Sequence, residues 1–342
     1  MSKKAQGKIG VLLVNLGTPD SPNTPDVRKY LREFLLDKRV IDIPAVQRYA
    51  LINGIIAPFR APKSAKIYKQ LWTERGSPLL YHGQDLQQKL QAALGPDYYV
   101  AFGMRYQSPS IKSALEELRA QSVDRIIVLP LFPQYASAST GSVHDKVMEI
   151  VKDWWVIPDI KFISSFCDDP GFIHAFATLG KQHMAQDDYD FVVFSYHGLP
   201  ERQILKGSDH GYCQLGACCN SYNKRNKYCY RASCFETSRL LAAELGLRED
   251  QYTVSFQSRL GKDPWLKPYT DIILKDLPAK GIRKVLAYSP AFVADCLETT
   301  IEVGEEFKHL FLAAGGEKWQ LVESLNSNAL WVDAVKAMVL RS

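Results

Sequence analysis

Short β-rich apolar segments recur along this chain with amphipathic helical stretches between them, and that alternation restricts its fold more than any other feature. Ile9 to Asn15, Tyr98 to Phe102, Arg125 to Leu131, Ile160 to Ser164, Phe191 to Tyr196, Tyr252 to Phe256 and Lys284 to Tyr288 read as strands. Ile111 to Ala120, Phe172 to His183, Ser238 to Leu245 and Tyr269 to Leu277 carry helical patterns between them. Strands that are apolar on both faces belong to parallel sheets covered by helices, joined by right-handed crossovers. The predicted class is therefore α/β.

The pattern also repeats within the chain. Phe102-Gly-Met-Arg-Tyr-Gln-Ser-Pro leads through a helix to Arg125-Ile-Ile-Val-Leu-Pro-Leu-Phe-Pro-Gln, and Ser255-Phe-Gln-Ser-Arg-Leu-Gly leads likewise to Arg283-Lys-Val-Leu-Ala-Tyr-Ser-Pro-Ala-Phe. A length of 342 residues suits two α/β lobes better than one core. Two similar Rossmann-like lobes with a cleft between them are expected, residues 1–153 and 154–342. The break falls near Asp153 to Asp159, where Trp154, Trp155 and Pro158 interrupt the pattern. The C-terminal helix, Ala329 to Leu340, is expected to cross back to the first lobe.

The bulk numbers narrow the function. Hydrophobic residues make up 46% and charged residues 23%, as in ordinary globular proteins. The net charge of +5 is modest and its cations are dispersed, which argues against nucleic acid as a partner. No apolar run approaches the ~18 residues of a membrane span. Met1-Ser-Lys-Lys-Ala-Gln-Gly lacks the apolar core of a signal peptide, so a cytoplasmic location is expected. Asn15-Leu-Gly-Thr-Pro has neither G-x-G-x-x-G nor G-K-[ST], which excludes it as a phosphate loop.

Residues 27–60 depart from the α/β rhythm. They mix apolar side chains, among them Phe34, Leu35, Leu36, Val40 and Ile41, with Arg28, Arg32, Lys38, Arg39, Arg48 and Arg60. Three readings remain: helical lips around a hydrophobic mouth, an amphipathic surface resting at the periphery of a membrane, or an ordinary pair of packed helices.

Two segments carry chemistry. The apolar run ending in Ser195-Tyr196-His197-Gly198-Leu199-Pro200 reads as a buried strand delivering an imidazole to the carboxyl edge of a sheet, where open α/β sheets bind ligands. A hydrogen-bonded structural histidine is the plainer alternative. Ser289-Pro-Ala-Phe-Val-Ala-Asp-Cys-Leu-Glu follows the last long strand and emerges at the same edge. There Asp295 reads as an N-cap with Glu298 as its capping-box partner. Glu298, Glu302 and Glu306 nonetheless recur at i, i+4 and i+8, on one helical face. That face is either a solvated acidic surface or a path for cations or protons.

Val11-Leu-Leu-Val-Asn-Leu-Gly-Thr-Pro, Ser195-Tyr-His-Gly-Leu-Pro, Phe256-Gln-Ser-Arg and Asp295-Cys-Leu-Glu-Thr together resemble the ferrochelatases, in order and over nearly the whole chain. The resemblance implies a chelatase-like fold and insertion of Fe2+ into protoporphyrin IX to form haem, with loss of two protons. It implies His197 as catalytic base and Glu298 as its partner, with Glu302 and Glu306 continuing an oxygen-lined path for Fe2+ or protons. Neutral imidazole can take a pyrrole proton at cellular pH, and carboxylates are hard ligands suited to passing iron on. Phe34, Leu35, Leu36, Val40, Ile41, Arg105 and Tyr106 are the expected porphyrin contacts, with Arg39 or Arg60 offered to the propionates. Cys296 stands where some members have histidine. A chelatase for another metal or tetrapyrrole, such as cobalt or coproporphyrin, and a non-catalytic porphyrin or metal carrier remain as alternatives.

Five of the cysteines, Cys213, Cys218, Cys219, Cys229 and Cys234, cluster in an insertion over residues 203–234. In a reducing compartment such clustering points to metal or iron-sulfur ligation rather than disulfides. Cys213-x4-Cys218 and Cys229-x4-Cys234 form matching pairs, and C-x4-C spacing leans towards [2Fe-2S] over zinc. Lys224, Arg225, Lys227 and Arg231 nearby favour thiolates. Some ferrochelatases resemble this chain in carrying a [2Fe-2S] cluster, which implies four of the five cysteines as ligands. Cys167 is set apart from that group.

Overall fold

The computed structural model describes residues 7–208, 211–259, 261 and 263–342. They form two compact units. The first comprises residues up to Phe132 with Ser137–Ser164 and Asn326–Ser342, and the second comprises Pro133–Ala136 with Ser165–Leu325.

In the first unit β1 (Ile9–Gly17) is followed by α1 (Thr24–Leu36), α2 (Ala45–Leu51), a π-helical stretch Ile52–Ile56, α3 (Ala57–Leu71) and α4 (Pro78–Leu94). Then come β2 (Tyr98–Tyr106), α5 (Ile111–Ala120), β3 (Arg125–Pro130), a π-helical stretch Ser137–Gly141, α6 (Ser142–Val151) and β4 (Asp159–Phe162). The second unit runs α7 (Pro170–Gln186), β5 (Phe191–His197), α8 (Glu201–Lys206), α9 (Tyr230–Leu245), β6 (Tyr252–Gln257), α10 (Thr270–Asp276) and β7 (Lys284–Tyr288). It closes with a π-helix Leu297–Glu306, α11 (Phe307–Ala313) and β8 (Lys318–Leu321). The last helix, α12 (Ala329–Leu340), belongs to the first unit and packs on α4.

Each unit holds one four-stranded parallel sheet, in the orders β2-β1-β3-β4 and β6-β5-β7-β8. The two orders are the same sequence of moves, so the internal echo corresponds to a repeated topology. The chain is α/β with two Rossmann-like sheets. Its central strands, β1 and β5, are buried along most of their length, which is why they read as continuous apolar runs. On one face of the first sheet Leu12, Val14, Ile126 and Val128 meet Ile111, Ala114, Leu115 and Leu118 of α5 and Val143, Val147 and Val151 of α6. The second sheet sets Val193, Val285 and Ala287 against Leu274, Val303, Phe307 and Phe311. Each Val, Leu, Ile or Phe among them contributes about 1.5–3 kcal/mol on burial.

Local signals set the helix ends. The Ser110 hydroxyl accepts from the Ser113 N–H at 3.0 Å to start α5, and the Asp169 carboxylate accepts from Gly171 and Phe172 to start α7. At the outer edge of the first sheet, the Gln91 side chain of α4 accepts from Val100 N–H at 2.8 Å and donates to Tyr98 O at 3.0 Å, while Gln87 donates to Val100 O at 2.9 Å.

A glycine stands at the end of β1 and directly after β5 for a steric reason. Gly17 has φ +127°, and a Cβ there would lie 2.2 Å from the Tyr106 carbonyl oxygen. A Cβ on Gly198 would lie 2.6 Å from the Gln257 carbonyl oxygen, to which the Gly198 N–H donates at 2.8 Å. Backbone is thus pressed against backbone where β5 delivers His197.

Two features depart from the sequence reading. β8 was not expected, and the acidic segment is a π-helix rather than an α-helix. The N-cap of the π-helix is Cys296, not Asp295: the Thr299 hydroxyl accepts from the Cys296 N–H at 2.9 Å, and Asp295 instead accepts from the Ser324 N–H at 3.1 Å. Glu298 is therefore not the capping partner, and its carboxyl group lies against the Cys296 thiol.

Candidate active site and cysteine cavity

His197 is the last residue of β5 and is half-buried. Its Nδ1 lies 2.7 Å from the Gly198 carbonyl oxygen, and the Phe292 ring stands edge-on at 6.4 Å between centroids. The π-helix that follows β7 supplies the acidic groups. Glu302 is the carboxylate most enclosed by partners. Burial raises its affinity for a proton, hydrogen bonding from the Ser258 hydroxyl and the nearby His197 oppose this, and Glu298 and Glu306 raise it again. The net direction is upward. His197 and all three glutamates thus belong to one electrostatic group.

Gln257 and Ser258, at the end of β6, were quoted in the sequence only as part of a motif, yet they hold this group in place. The Gln257 Nε2 donates to the Glu298 carbonyl oxygen and to Glu302 Oε2, both at 3.3 Å, and the Ser258 hydroxyl donates to the same Glu302 oxygen. Gln257 is braced in turn by the Ser195 hydroxyl at 2.6 Å, itself 3.0 Å from Thr270. Ser258 has φ +63°, a left-handed conformation that turns its hydroxyl towards the π-helix. A polar residue at the end of a strand opposite an acidic helix was the available signal.

The first unit places its own candidates differently. Arg105 is paired with Asp37 at 2.6 Å, with side-chain exposures of 11% and 5%, and its Nε donates to the Ser142 hydroxyl at 2.6 Å. The Tyr106 hydroxyl donates to the same Asp37 oxygen at 2.9 Å. Burial alone would raise the Asp37 carboxyl, but Ser142, the Arg39 N–H, Arg105 and Tyr106 together hold it below the usual carboxylate range. Arg39 is likewise engaged, by Asp145 at 3.1 Å and Ser137 at 3.1 Å. Phe34 packs edge-on against Tyr106 at 5.2 Å, and Leu35 turns into the core at 4% exposure. Leu36, Val40 and Ile41 are half-buried beside them. Beyond this, α2 buries none of its residues, and Val46, Tyr49, Ile55 and Phe59 stand 83%, 61%, 58% and 72% exposed. An apolar segment this open is unusual on a globular surface.

Cys213, Cys218, Cys219 and Cys229 line one cavity of about 140 Å³ together with Lys224, Arg225 and Lys227. Their thiols fall into two pairs. Cys213 and the Gln214 N–H both lie against Cys218, and burial, with the neighbouring Cys218 adding to it, pushes the Cys213 thiol up. Cys219 donates to Cys229, which raises the Cys219 thiol and lowers that of Cys229. Cys234 does not line the cavity; it is fully buried on α9 against the Tyr230 hydroxyl. All seven cysteines are free thiols. Four thiols on one basic-walled cavity, two and two, match the donor set of a binuclear iron-sulfur group, which takes four cysteines. Among the described residues no group of three or more His, Cys, Asp or Glu is placed to hold a single metal ion. No helix among them is long and apolar enough to cross a membrane.

A sequence model of the ferrochelatases matches residues 8–342. The chain belongs to the ferrochelatase family. A ferrochelatase from Legionella pneumophila (strain Lens) is 49% identical over 330 residues, covering 96% of this chain and 98% of that one. One from Coxiella burnetii (strain Dugway 5J108-111) is 43% identical over 347 residues, covering 100% and 96%. Among solved structures, SirB from Bacillus subtilis with Fe3+ superposes with a TM-score of 0.54 at 11% identity, covering 98% of this chain and 95% of that chain. That likeness is one of fold alone, and it places both repeats within a chelatase architecture.

Proposed function

We propose that this protein inserts Fe2+ into protoporphyrin IX to form protohaem, the final step of haem synthesis. The observation that carries the reading is a histidine at the carboxyl end of β5 facing a carboxyl group of raised proton affinity, in a chain that matches the ferrochelatases from Lys8 to Ser342. The reaction exchanges two pyrrole protons for one divalent cation. His197 takes a proton from a pyrrole nitrogen, and Glu302, which binds protons more readily than a free glutamate, passes protons away along Glu298 and Glu306. The same oxygens suit Fe2+ on its way in, since hard carboxylates exchange it without trapping it. The apolar residues Phe34, Leu36, Val40 and Ile41 with Tyr106 would lie against the macrocycle, and Leu35 would support them from the core. Arg105, neutralised by Asp37, would shape this wall rather than bind a propionate; Arg60, exposed on α3, would be the cation offered to one. The open apolar surface of α2 and the start of α3 would rest at a membrane periphery, where a poorly soluble porphyrin is handed over.

The cavity thiols Cys213, Cys218, Cys219 and Cys229 would hold a [2Fe-2S] cluster. When bound, such a group supplies a cross-link across the segment and one-electron chemistry that metal insertion does not need. Its role here would be structural or sensory.

Anaerobic mixing of the protein with Fe2+ and protoporphyrin IX, followed by loss of porphyrin fluorescence and growth of the haem spectrum, tests the activity. His197→Ala should bind porphyrin and lower turnover by roughly 10²–10⁴-fold. Porphyrin binding without turnover in the unaltered protein would overturn the reading in favour of a carrier. Selective turnover with Co2+ or coproporphyrin would redirect it.

A further inference from the structure

The cysteine segment reaches the reactive edge of the second sheet through Tyr230. Cys229 lines the cavity and forms the N-cap of α9, and Tyr230 is the first residue of that helix. The Tyr230 side chain turns away from the cavity into the core, where the residue is 7% exposed, and its hydroxyl donates to the main-chain carbonyl of His197 at 2.8 Å. The peptide unit joining His197 to Gly198 is thereby held at both ends, by Tyr230 on its oxygen and by the Gln257 carbonyl on its N–H at 2.8 Å. The Gly198 carbonyl that follows lies 2.7 Å from the His197 ring. One anchor of the histidine therefore comes from the catalytic sheet, and the other from the residue next to a cavity thiol.

We propose that Tyr230 is a positioning residue for His197, through which the state of the cysteine cavity sets the turnover rate. The inference rests on the proposed roles of His197 and of the cavity thiols. Drawing Cys219 and Cys229 onto a common ligand, or releasing them, shifts the first turn of α9, which starts at Tyr230 directly after Cys229. The His197 peptide follows it. A buried hydroxyl–carbonyl bond is directional, so displacement of its donor is transmitted rather than averaged away.

The experiment combines kinetics with an observable that does not depend on turnover. Protein labelled with 15N-histidine is compared as unaltered chain, Tyr230→Phe, Cys229→Ser and the double variant, with Cys213→Ser as a second way to disturb the cavity and Tyr196→Phe as control. Tyr196 is also a buried phenol, and its hydroxyl lies 2.8 Å from Ser238 instead. Tyr230→Phe should displace the His197 ring resonances and lower kcat roughly tenfold with KM for porphyrin unchanged. Cys229→Ser and Cys213→Ser should displace the same resonances, and the double variant should lose no more kcat than Tyr230→Phe alone. Tyr196→Phe should leave the ring resonances in place. Independent, multiplying losses in the double variant, or unmoved resonances in Tyr230→Phe, overturn the proposal. Absence of haem formation in the unaltered chain would instead overturn the ferrochelatase activity, and the histidine resonances would still decide the coupling.

Discussion

The two units build the same corner and use it differently. In each, the strand beside the first ends in a residue of left-handed backbone, Gln107 at φ 65° and Ser258 at φ 63°, and each of these hydrogen-bonds a helix glutamate. The Gln107 N–H donates to Glu33 at 3.0 Å, and the Ser258 hydroxyl donates to Glu302. A second carbonyl contact is also shared: Met104 N–H donates to Pro109 O at 2.6 Å and Phe256 N–H to Pro268 O at 2.8 Å. From there they diverge. The first unit closes its corner with a compensated pair, Asp37 against Arg105, sealed by Ser142 and Tyr106. In the second, Glu302 has two further carboxyl groups and an imidazole as its titratable neighbours. One backbone device can thus brace a wall or hold a proton, depending on whether a cation answers the carboxylate.

Substitutions at matching places should separate the two uses. The largest effect is expected for Asp37→Ala, which strands Arg105 in a buried position and should cost ~3–5 kcal/mol in urea unfolding. A cost below 1 kcal/mol would mean that the first corner is not a brace. Glu302→Gln should lower kcat about 100-fold, whereas Glu33→Gln, its counterpart, should stay within about twofold. Equal losses in haem formation would erase the contrast.

Acid should act on the units with opposite signs. His144 on α6 is pushed down to about 4 by burial and by the Arg39 charge. Its folded value lies below the unfolded one, so its contribution is present above about pH 6.5 and is lost as pH falls towards 4. Asp37 behaves likewise at lower pH, since its lowered carboxyl stabilises above the unfolded value and is lost below it. Glu302 is raised, so its contribution is present at acid pH and lost as pH rises through its folded value. Between pH 7 and 4.5 the first effect should dominate, lowering stability by about 1–2 kcal/mol after allowance for solvent. His144→Phe should flatten that slope; an unchanged slope assigns it elsewhere. The smallest change is expected for Ser258→Ala, which removes one hydrogen bond to Glu302 and should slow turnover about fivefold, in keeping with ~1 kcal/mol. A kcat matching the unaltered protein would leave Gln257 as the sole support.

Much of this was legible in the sequence because burial on both faces leaves an unbroken apolar signature, as in Phe191 to Tyr196 and Lys284 to Tyr288. The four-residue β8 was not, since Lys318-Trp-Gln-Leu alternates like a surface segment and only Trp319 is buried. Histidine at a strand end and glutamates four apart marked the candidate group that the structure brings together, but the i→i+5 winding that carries the glutamates leaves the same spacing visible in sequence as an α-helix. The Asp37–Arg105 pair joins residues 68 apart, beyond any local pattern. Of the spacing pairs of the cysteines, that of Cys229 with Cys234 is not a pair found at the cavity. Cys229 and Cys234 are five residues apart across the start of α9, which rotates the second about 140° from the first and turns it into the core. Cys219, which belongs to neither C-x4-C pair, lies beside Cys229 instead.

The glutamine clamp on the outer edge of the first sheet has a consequence for the protein in bulk. An exposed strand edge is a template on which another chain can pair and seed aggregation. Here Val100 and Tyr98 already spend outward-facing groups on Gln87 and Gln91 of the same molecule. Two side chains from one helix thus act as a built-in chaperone for that edge, and Gln87→Ala with Gln91→Ala should turn a concentrated solution cloudy before it changes a single step of the chemistry.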